Sequence, residues 1–296
     1  MQKKRNNLKE QINKHKNLIF VAIAAVALAS AMVPFSSVTQ VSGQSYENLV
    51  EQTNLESIEG CSAESECINF ARNLASFSDS AFNTLTQVND QSISDVSDNS
   101  LAANIGINSA DFDPSNFNTA TQTNTQSIDG VSDESTAANI GVNDVDFEDS
   151  DNNVIDQSNT QSIENVGDPS EAANVGLNFA DFEDDSNDNT VGQSNEQDIS
   201  DVGPDSSALN VAENDVELED DSDNNVVDQS NKQSISDVSE DEEVKKDSSA
   251  ENRAENNAEF DDSDDNQVTQ SNDQQIDEVE DDSSATNDAK NDVSFD

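Results

Sequence analysis

The chain has 296 residues, of which 64 are acidic and 12 are basic, so its formal net charge at pH 7 is −52. Nucleic acids and anionic membrane surfaces repel such a chain, which excludes DNA and RNA as partners and favours divalent cations, cationic surfaces and other surface proteins. Aromatic residues make up 4% of the sequence and tryptophan is absent, and low hydrophobicity with high net charge is typical of disordered segments.

The amino terminus has the layout of a secretory signal. Its first 17 residues carry six basic side chains, and residues 18–31 form an apolar run without a charge. Cleavage is predicted after Ala29 or Ala31, which makes residues 1–31 a signal peptide. Because residues 18–35 approach the length that crosses a bilayer, an uncleaved transmembrane signal anchor is the alternative. Both interpretations place the rest of the chain outside the cytoplasm, because the basic cluster stays inside.

After a polar linker at residues 32–51, the chain consists of seven copies of one repeat. The copies begin at Gln52, Gln87, Gln122, Gln157, Gln193, Gln229 and Gln270, so that successive starts lie 35, 35, 35, 36, 36 and 41 residues apart. A period of this size is typical of solenoids and other repeat arrays. The sixth repeat is longer because of a low-complexity insertion, EEVKKD, at residues 242–247.

Two cysteines and one histidine limit the chemistry of the chain. Cys61 and Cys67 lie six residues apart in the first repeat and could form a disulfide in an oxidising compartment. Unpaired thiols are the alternative, and two cysteines alone do not make a metal site. The only histidine, His15, lies in the predicted signal segment, so the exported part has no imidazole for hydrolase catalysis or zinc binding. We therefore expect a protein that is not an enzyme and needs no organic cofactor.

Each repeat is predicted to form a strand, a turn, a second strand and an acidic turn. In QSNTQSI, Gln157, Asn159, Gln161 and Ile163 alternate with small polar residues, which is the period of a β-strand. The segment AANIGVN at residues 137–143 alternates in the same way, and Asp, Asn and Ser are abundant in the turns. If the repeats stack as the rungs of a β-solenoid, equivalent Gln and Asn side chains lie about 4.8 Å apart and form amide ladders.

The acidic content rises along the array while the second strand loses apolar residues. AAN becomes ALN at residues 208–210, AEN at 250–252 and ATN at 285–287. Stacked carboxylates repel one another. The sequence therefore predicts a largely disordered or low-order β fold. A β-solenoid is favoured in the more ordered residues 52–212, and residues 213–296 are predicted to be mostly disordered.

The acidic turns supply the candidate metal ligands, because carboxylate and amide oxygens at alternate positions suit hard cations such as Ca²⁺. Neither an EF-hand nor a glycine-rich calcium repeat is present, so diffuse cation condensation is the alternative to specific sites. The candidates are Asp149, Asp151, Asn153, Asp156, Asp184, Asp185, Asp188, Asp221, Asp223, Asn225, Asp228, Asp262, Asp264 and Asp265.

The alternation in QSNTQ and QTNTQ resembles the amide ladders of curlin repeats, the subunits of bacterial surface amyloid fibres, although curlin units are shorter, richer in glycine and less charged. The array is also similar to uncharacterised secreted acidic repeat proteins of prokaryotic cell surfaces, which implies a surface location but no known activity. We expect a non-enzymatic cell-surface or matrix protein whose repeats bind divalent cations weakly. The alternative is an adhesive or fibre-forming subunit that self-associates by β-stacking.

Overall fold

The computed structural model describes residues 48–167, 169–183, 187–218, 223–238, 248–260, 266–277 and 284–295. The predicted signal segment, most of the predicted linker and the insertion at residues 242–247 lie outside these ranges. Across the described ranges no helix is long and apolar enough to span a membrane. The first strand begins at Leu49, within the stretch predicted as linker.

The described residues form fourteen strands, two for each repeat. They are β1 (Leu49–Cys61), β2 (Glu66–Ala81), β3 (Thr84–Val96), β4 (Leu101–Asn116), β5 (Thr119–Val131), β6 (Thr136–Glu148), β7 (Val154–Val166), β8 (Glu171–Glu183), β9 (Thr190–Ile199), β10 (Ser207–Leu218), β11 (Val226–Ile235), β12 (Ser249–Phe260), β13 (Gln267–Ile276) and β14 (Ser284–Phe295).

The strands form two parallel sheets of seven strands each. Sheet 1 contains the odd-numbered strands in the order β1 to β13, and sheet 2 contains the even-numbered strands in the order β2 to β14. Equivalent residues of successive repeats are paired, as in Gln122 with Gln157 and Asn139 with Asn174. The β-solenoid favoured by the sequence is therefore confirmed, and it extends through all seven repeats.

The interior between the sheets contains two apolar lanes with amide side chains between them. One lane stacks Phe112, Phe147 and Phe182 of sheet 2 against the first inward residues of sheet 1, such as Ile155. The other lane stacks Ile128, Ile163 and Ile199 of sheet 1 against small residues of sheet 2. The strand period produces this arrangement, because alternate residues of each strand point inward.

Asp and Asn in the turns allow the chain to reverse direction between the sheets. Asn152, Asp188 and Asn224 hold one turn position in successive repeats, with φ angles of 59°, 57° and 58°. This left-handed backbone is most accessible to glycine, and Asn and Asp tolerate it better than other residues. The turn residues that the sequence analysis identified thus occupy the conformation that suits them.

The structure does not support the prediction of a largely disordered protein, including its acidic tail. In the sixth repeat Ala250 and Asn252 are buried, and the intervening Glu251 points to the outer face. The added charges therefore lie where solvent and ions screen them. The sequence argument overestimated their cost because acidic content alone does not assign a carboxylate to the inner or the outer face of a strand.

Candidate functional site

The interior glutamines form ladders, and in the middle repeats each amide group uses both its donors and its acceptor. Gln126 Nε2 donates to Gln91 Oε1 at 2.9 Å and to the Ile140 carbonyl oxygen of the facing sheet at 2.8 Å. Gln126 Oε1 accepts from Gln161 Nε2 at 2.8 Å. Both N–H groups and the oxygen are thus satisfied, which is the condition for burying an amide without a large desolvation cost.

The interior asparagines form ladders of the opposite polarity. Asn124 Nδ2 donates to Asn159 Oδ1 of the following repeat at 2.9 Å, whereas each ladder glutamine donates to the preceding repeat. Asn124 Nδ2 also donates to Asn143 Oδ1 of the facing sheet at 3.0 Å, so the ladders of the two sheets are connected. The buried Asn and Gln ladders confirm the amide pattern predicted from the sequence.

The amide interior is tightly packed at its narrowest point. A Cβ atom added to Gly141 would lie 2.4 Å from Asn159 Oδ1. The same approach occurs at Gly176, where the nearest atom is Asn195 Oδ1 at 2.6 Å. Protein groups therefore fill the space around these two glycines, which leaves no room there for a ligand.

A row of carboxylates crosses the outer face of sheet 2. Each member pairs with its neighbour on the adjacent strand and directly precedes the inward-facing Phe or Leu of its own strand. The members are Asp111, Asp146, Asp181, Glu217 and Glu259. Neighbours in the row lie about one strand spacing, 4.8 Å, apart. The sequence analysis missed this carboxylate row, although the acidic residue that precedes Phe112, Phe147 and Phe182 was its visible signal.

In the carboxylate row, desolvation and nearby negative charges favour the protonated form of Asp111 and Asp146. Desolvation, followed by repulsion from Asp181, Glu183, Asp111 and Asp144, raises the pKa of Asp146 to about 6. Desolvation and repulsion from Asp113 also raise the pKa of Asp111. A proton or a cation at the row relieves this repulsion, so the row is the candidate cation-binding surface of the described chain.

The residues predicted as metal ligands separate into four groups. Asp149, Asp151, Asp188 and Asp223 lie in the acidic turns, whereas Asp156 and Asp228 point outward from sheet 1 two strands apart, with Gly192 between them. Asn153 and Asn225 are buried. The other candidates, Asp184, Asp185, Asp221, Asp262, Asp264 and Asp265, lie outside the described residues.

Contacts between turns already use several of the predicted ligand oxygens. Asn153 Oδ1 accepts from the backbone N–H of Asn118 at 2.9 Å, and Asp151 Oδ1 accepts from the backbone N–H of Asn187 at 2.8 Å. Within the described ranges, no group of three or more acidic, cysteine or histidine side chains is placed to hold a metal ion. Calcium binding at the acidic turns therefore stays a prediction.

A disulfide joins Cys61 to Cys67, whose Cα atoms are 5.9 Å apart. Cys61 pairs with Val96 and Cys67 with Ala102 in the next repeat. Val96 and Ala102 belong to one buried apolar cluster in the second repeat, so the disulfide of the first repeat takes the place of an apolar contact. It links β1 to β2 at the first rung, where neighbouring strands are present on one side only among the described residues.

Comparison with models of protein families, with curated proteins and with solved structures finds no match for this chain. The described residues divide into an interior of hydrogen-bonded amide ladders and an outer surface rich in carboxylates.

Proposed function

We propose that the chain is a non-enzymatic structural protein, exported to a cell surface or an extracellular matrix, that binds divalent cations weakly through its acidic repeats. The observation that supports this proposal is the carboxylate row from Asp111 to Glu259, which covers five successive strands of sheet 2. A solenoid whose interior amides bond to one another presents mainly negative charge to its surroundings, which attracts divalent cations and cationic surfaces.

The row favours weak and unselective cation binding. Each neighbouring pair of carboxylates offers a divalent ion a few oxygen ligands, whereas a tight Ca²⁺ site needs 6 to 8. Asp146 also remains exposed, so water competes with the protein for the ion. Ca²⁺ and Mg²⁺ should therefore relieve the repulsion to a similar extent, at concentrations typical of extracellular fluids.

Thermal unfolding of the isolated protein in CaCl₂, MgCl₂ and NaCl at matched ionic strength tests this function. Both divalent salts are expected to raise Tm by a similar amount and more than NaCl does, without saturating below about millimolar concentration. The variant Asp146→Asn should show a smaller rise. Equal effects of all three salts would contradict cation binding, and a saturable response to micromolar Ca²⁺ alone would contradict the diffuse mode.

Export is tested separately in cells that express the full chain. Mass spectrometry of the amino terminus is expected to show cleavage after Ala29 or Ala31, and a protease added outside intact cells should reach the repeats. An intact amino terminus with accessible repeats would favour the signal anchor. Repeats that stay protected until the cells are lysed would contradict export in either form.

A second function, an adhesive or fibre-forming subunit assembled by β-stacking, is favoured by the two ends of the solenoid. In the described chain β13 pairs with β11 alone and β14 with β12 alone, so each has one unoccupied edge. Six steps of about 4.8 Å give one copy a length of only about 29 Å along the stacking axis. An extended layer therefore needs copies joined end to end. Thioflavin-positive fibres with a cross-β reflection near 4.7 Å would support this function, and a strictly monomeric protein would contradict it.

A further inference from the structure

The glutamine ladders end in opposite hydrogen-bonding groups at the two ends of the solenoid. At the β13 end, Gln270 Nε2 donates back to Gln229 Oε1 at 2.8 Å. Gln270 Oε1 therefore faces along the stacking axis, away from Gln229. At the β1 end, Gln52 Oε1 accepts from Gln87 Nε2 at 2.8 Å, and Gln52 Nε2 donates to the Leu74 carbonyl oxygen. One N–H of Gln52 is therefore directed to where an earlier rung would lie.

The asparagine ladders end in the same complementary way with the polarity reversed. Asn231 Nδ2 donates forward to Asn272 Oδ1 at 3.0 Å, and Asn272 Nδ2 donates to the Lys290 carbonyl oxygen and to Asn291 Oδ1 of the facing strand. The interior Asn195 Nδ2 makes the same two kinds of contact and shares its N–H groups with a forward acceptor, Asn231 Oδ1, a place that no described residue fills for Asn272. At the other end, Asn54 Nδ2 donates forward to Asn89 Oδ1 at 2.9 Å. No described residue of an earlier rung donates to Asn54 Oδ1. A second copy stacked in register would thus continue both kinds of ladder, with Asn272 donating to Asn54 and Gln52 donating to Gln270.

Glu56 is the exception to this complementarity. It occupies the ladder position that Gln91, Gln126 and the later repeats fill with glutamine, and Gln91 Nε2 donates to Glu56 Oε2 at 3.4 Å. A carboxylate accepts hydrogen bonds from the following rung but has no N–H to donate to an earlier one. Facing Gln274 Oε1 of another copy, it would oppose one acceptor with another.

Glu56 is also poorly hydrated for a surface carboxylate. Desolvation raises its pKa, partly offset by hydrogen bonds from the Gln91 side chain and the Phe70 backbone. A stacked copy would remove more water from the same group without supplying a donor. That loss makes end-to-end docking less favourable than it would be with glutamine at this position.

We propose that a second copy of this chain docks end to end, with β13 and β14 of one copy against β1 and β2 of the next, and that Glu56 limits this association by ending one glutamine ladder in a carboxylate. The inference rests on the second proposed function and identifies its docking surface. Gln52, Asn54 and Glu56 form one side of that surface, and Gln270, Asn272 and Gln274 form the other.

The variant Glu56→Gln tests the role of Glu56 on the exported protein as isolated. It restores the missing donor, so end-to-end association should strengthen by about tenfold, measured by sedimentation velocity at 0.15 M or higher salt to screen the net charge. Glu51→Gln is the matched control, because it removes the same charge from an exposed, outward position of the same strand. It should change the association constant by less than about twofold.

Each result of this comparison decides a different part of the inference. Association that strengthens equally in both variants, or in neither, would overturn the role of Glu56 and leave fibre formation standing. Monomers at every concentration in the wild type and in both variants would overturn the docking surface and the second function together.

Disulfide trapping tests the register of docking independently of affinity. The outward residues Leu55 and Asp273 hold the same strand position in the first and last repeats, so they should become neighbours across the docked ends. Mixing Leu55→Cys protein with Asp273→Cys protein should give a cross-linked heterodimer, because neighbouring Cα atoms lie within disulfide range. Ser57→Cys with Asp273→Cys is the out-of-register control. Equal cross-linking of both pairs, or of neither, would contradict the proposed register.

Discussion

The first four repeats and the last three differ on the outside of the solenoid and agree on the inside. On the outer face of sheet 2, Ile140 and Val175 occupy a row that continues as Val211, Arg253 and Asp288. The inward row stays constant, since both Asn143 in the third repeat and Asn214 in the fifth are fully buried in ladders. The comparison teaches that the fold tolerates added charge on its outer face, while the buried asparagines of the ladders are the same in both regions.

Replacing an interior asparagine with aspartate should have the largest effect and should be equally severe in both regions. Asn143→Asp and Asn214→Asp each remove the donors of a side chain that bonds to the next repeat and to the facing sheet, and each buries a charge. We expect each variant to lose about 3–5 kcal/mol of unfolding free energy in urea denaturation.

Asn165→Asp is the matched control for this pair, because Asn165 is exposed and the equivalent residues of other repeats are Asp95 and Asp201. It should cost less than about 1 kcal/mol. A large loss for Asn143→Asp together with a small one for Asn214→Asp would show that the two interiors differ.

The aromatic stack gives the next largest expected effect. The centroid of the Phe147 ring lies 4.6 Å from that of Phe112 and 5.2 Å from that of Phe182, and the side chain is fully buried. Phe147→Ala should cost about 3–5 kcal/mol, since it leaves a cavity in the apolar lane. Phe147→Leu should cost only about 1 kcal/mol, because Leu218 fills the same position in the fifth repeat. Thermal unfolding measures the loss of stability in each variant. Equal losses would show that leucine does not fill this position in the third repeat as Leu218 does in the fifth.

The smallest expected effect concerns the carboxylate row and depends on pH. The pKa of Asp146 is raised from its usual 3.8 to about 6. The folded protein therefore binds this proton more tightly than the unfolded chain, and Asp146 makes the fold less stable as the pH rises from about 4 to about 6. Asp146→Asn should stabilise the protein by about 1 kcal/mol at pH 7, a value reduced for screening at this exposed position, and by nothing below pH 4.

Asp90→Asn is the control for the pH effect. Asp90 is an exposed carboxylate of sheet 1 whose paired neighbours are Leu55 and Thr125. Removing its charge relieves no repulsion within a row. The free energy of unfolding, measured from pH 4 to pH 8, should therefore show a stabilisation that grows with pH for Asp146→Asn and not for Asp90→Asn. The same pH dependence in both variants would contradict repulsion within the carboxylate row.

The sequence predicted the repeat, the strand period and the amide ladders because these depend only on spacing. Alternation around Gln157 and Ile163 identified inward residues, and the recurring motif aligned equivalent positions of successive repeats. The extra residues of the longer repeats lie outside the paired strands, so the register is kept. The order of the acidic repeats was missed because composition does not tell which side of a strand a charge occupies. Glu251 lies between two buried residues and still reaches the surface.

The candidate site was harder to predict than the fold. Oxygen-rich turns suggested ligands at Asn153 and Asn225, but these side chains turn inward, where Asn153 and Asn225 accept hydrogen bonds from neighbouring turns. The carboxylate row depends on which residues of different repeats become neighbours on one face of sheet 2. That information appears only after the register is assigned, and the polarity of the ladders that sets Glu56 apart requires the hydrogen bonds themselves.

The central claim is that the acidic repeats continue the same folded solenoid. Amide hydrogen exchange of the isolated protein tests it most directly, by comparing β6 to β8 with β10 to β12. We predict that interior backbone amides of both groups are protected at least about a thousandfold relative to an unstructured chain, because both belong to uninterrupted parallel sheets. Protection of β6 to β8 with exchange of β10 to β12 at unstructured rates would contradict the account.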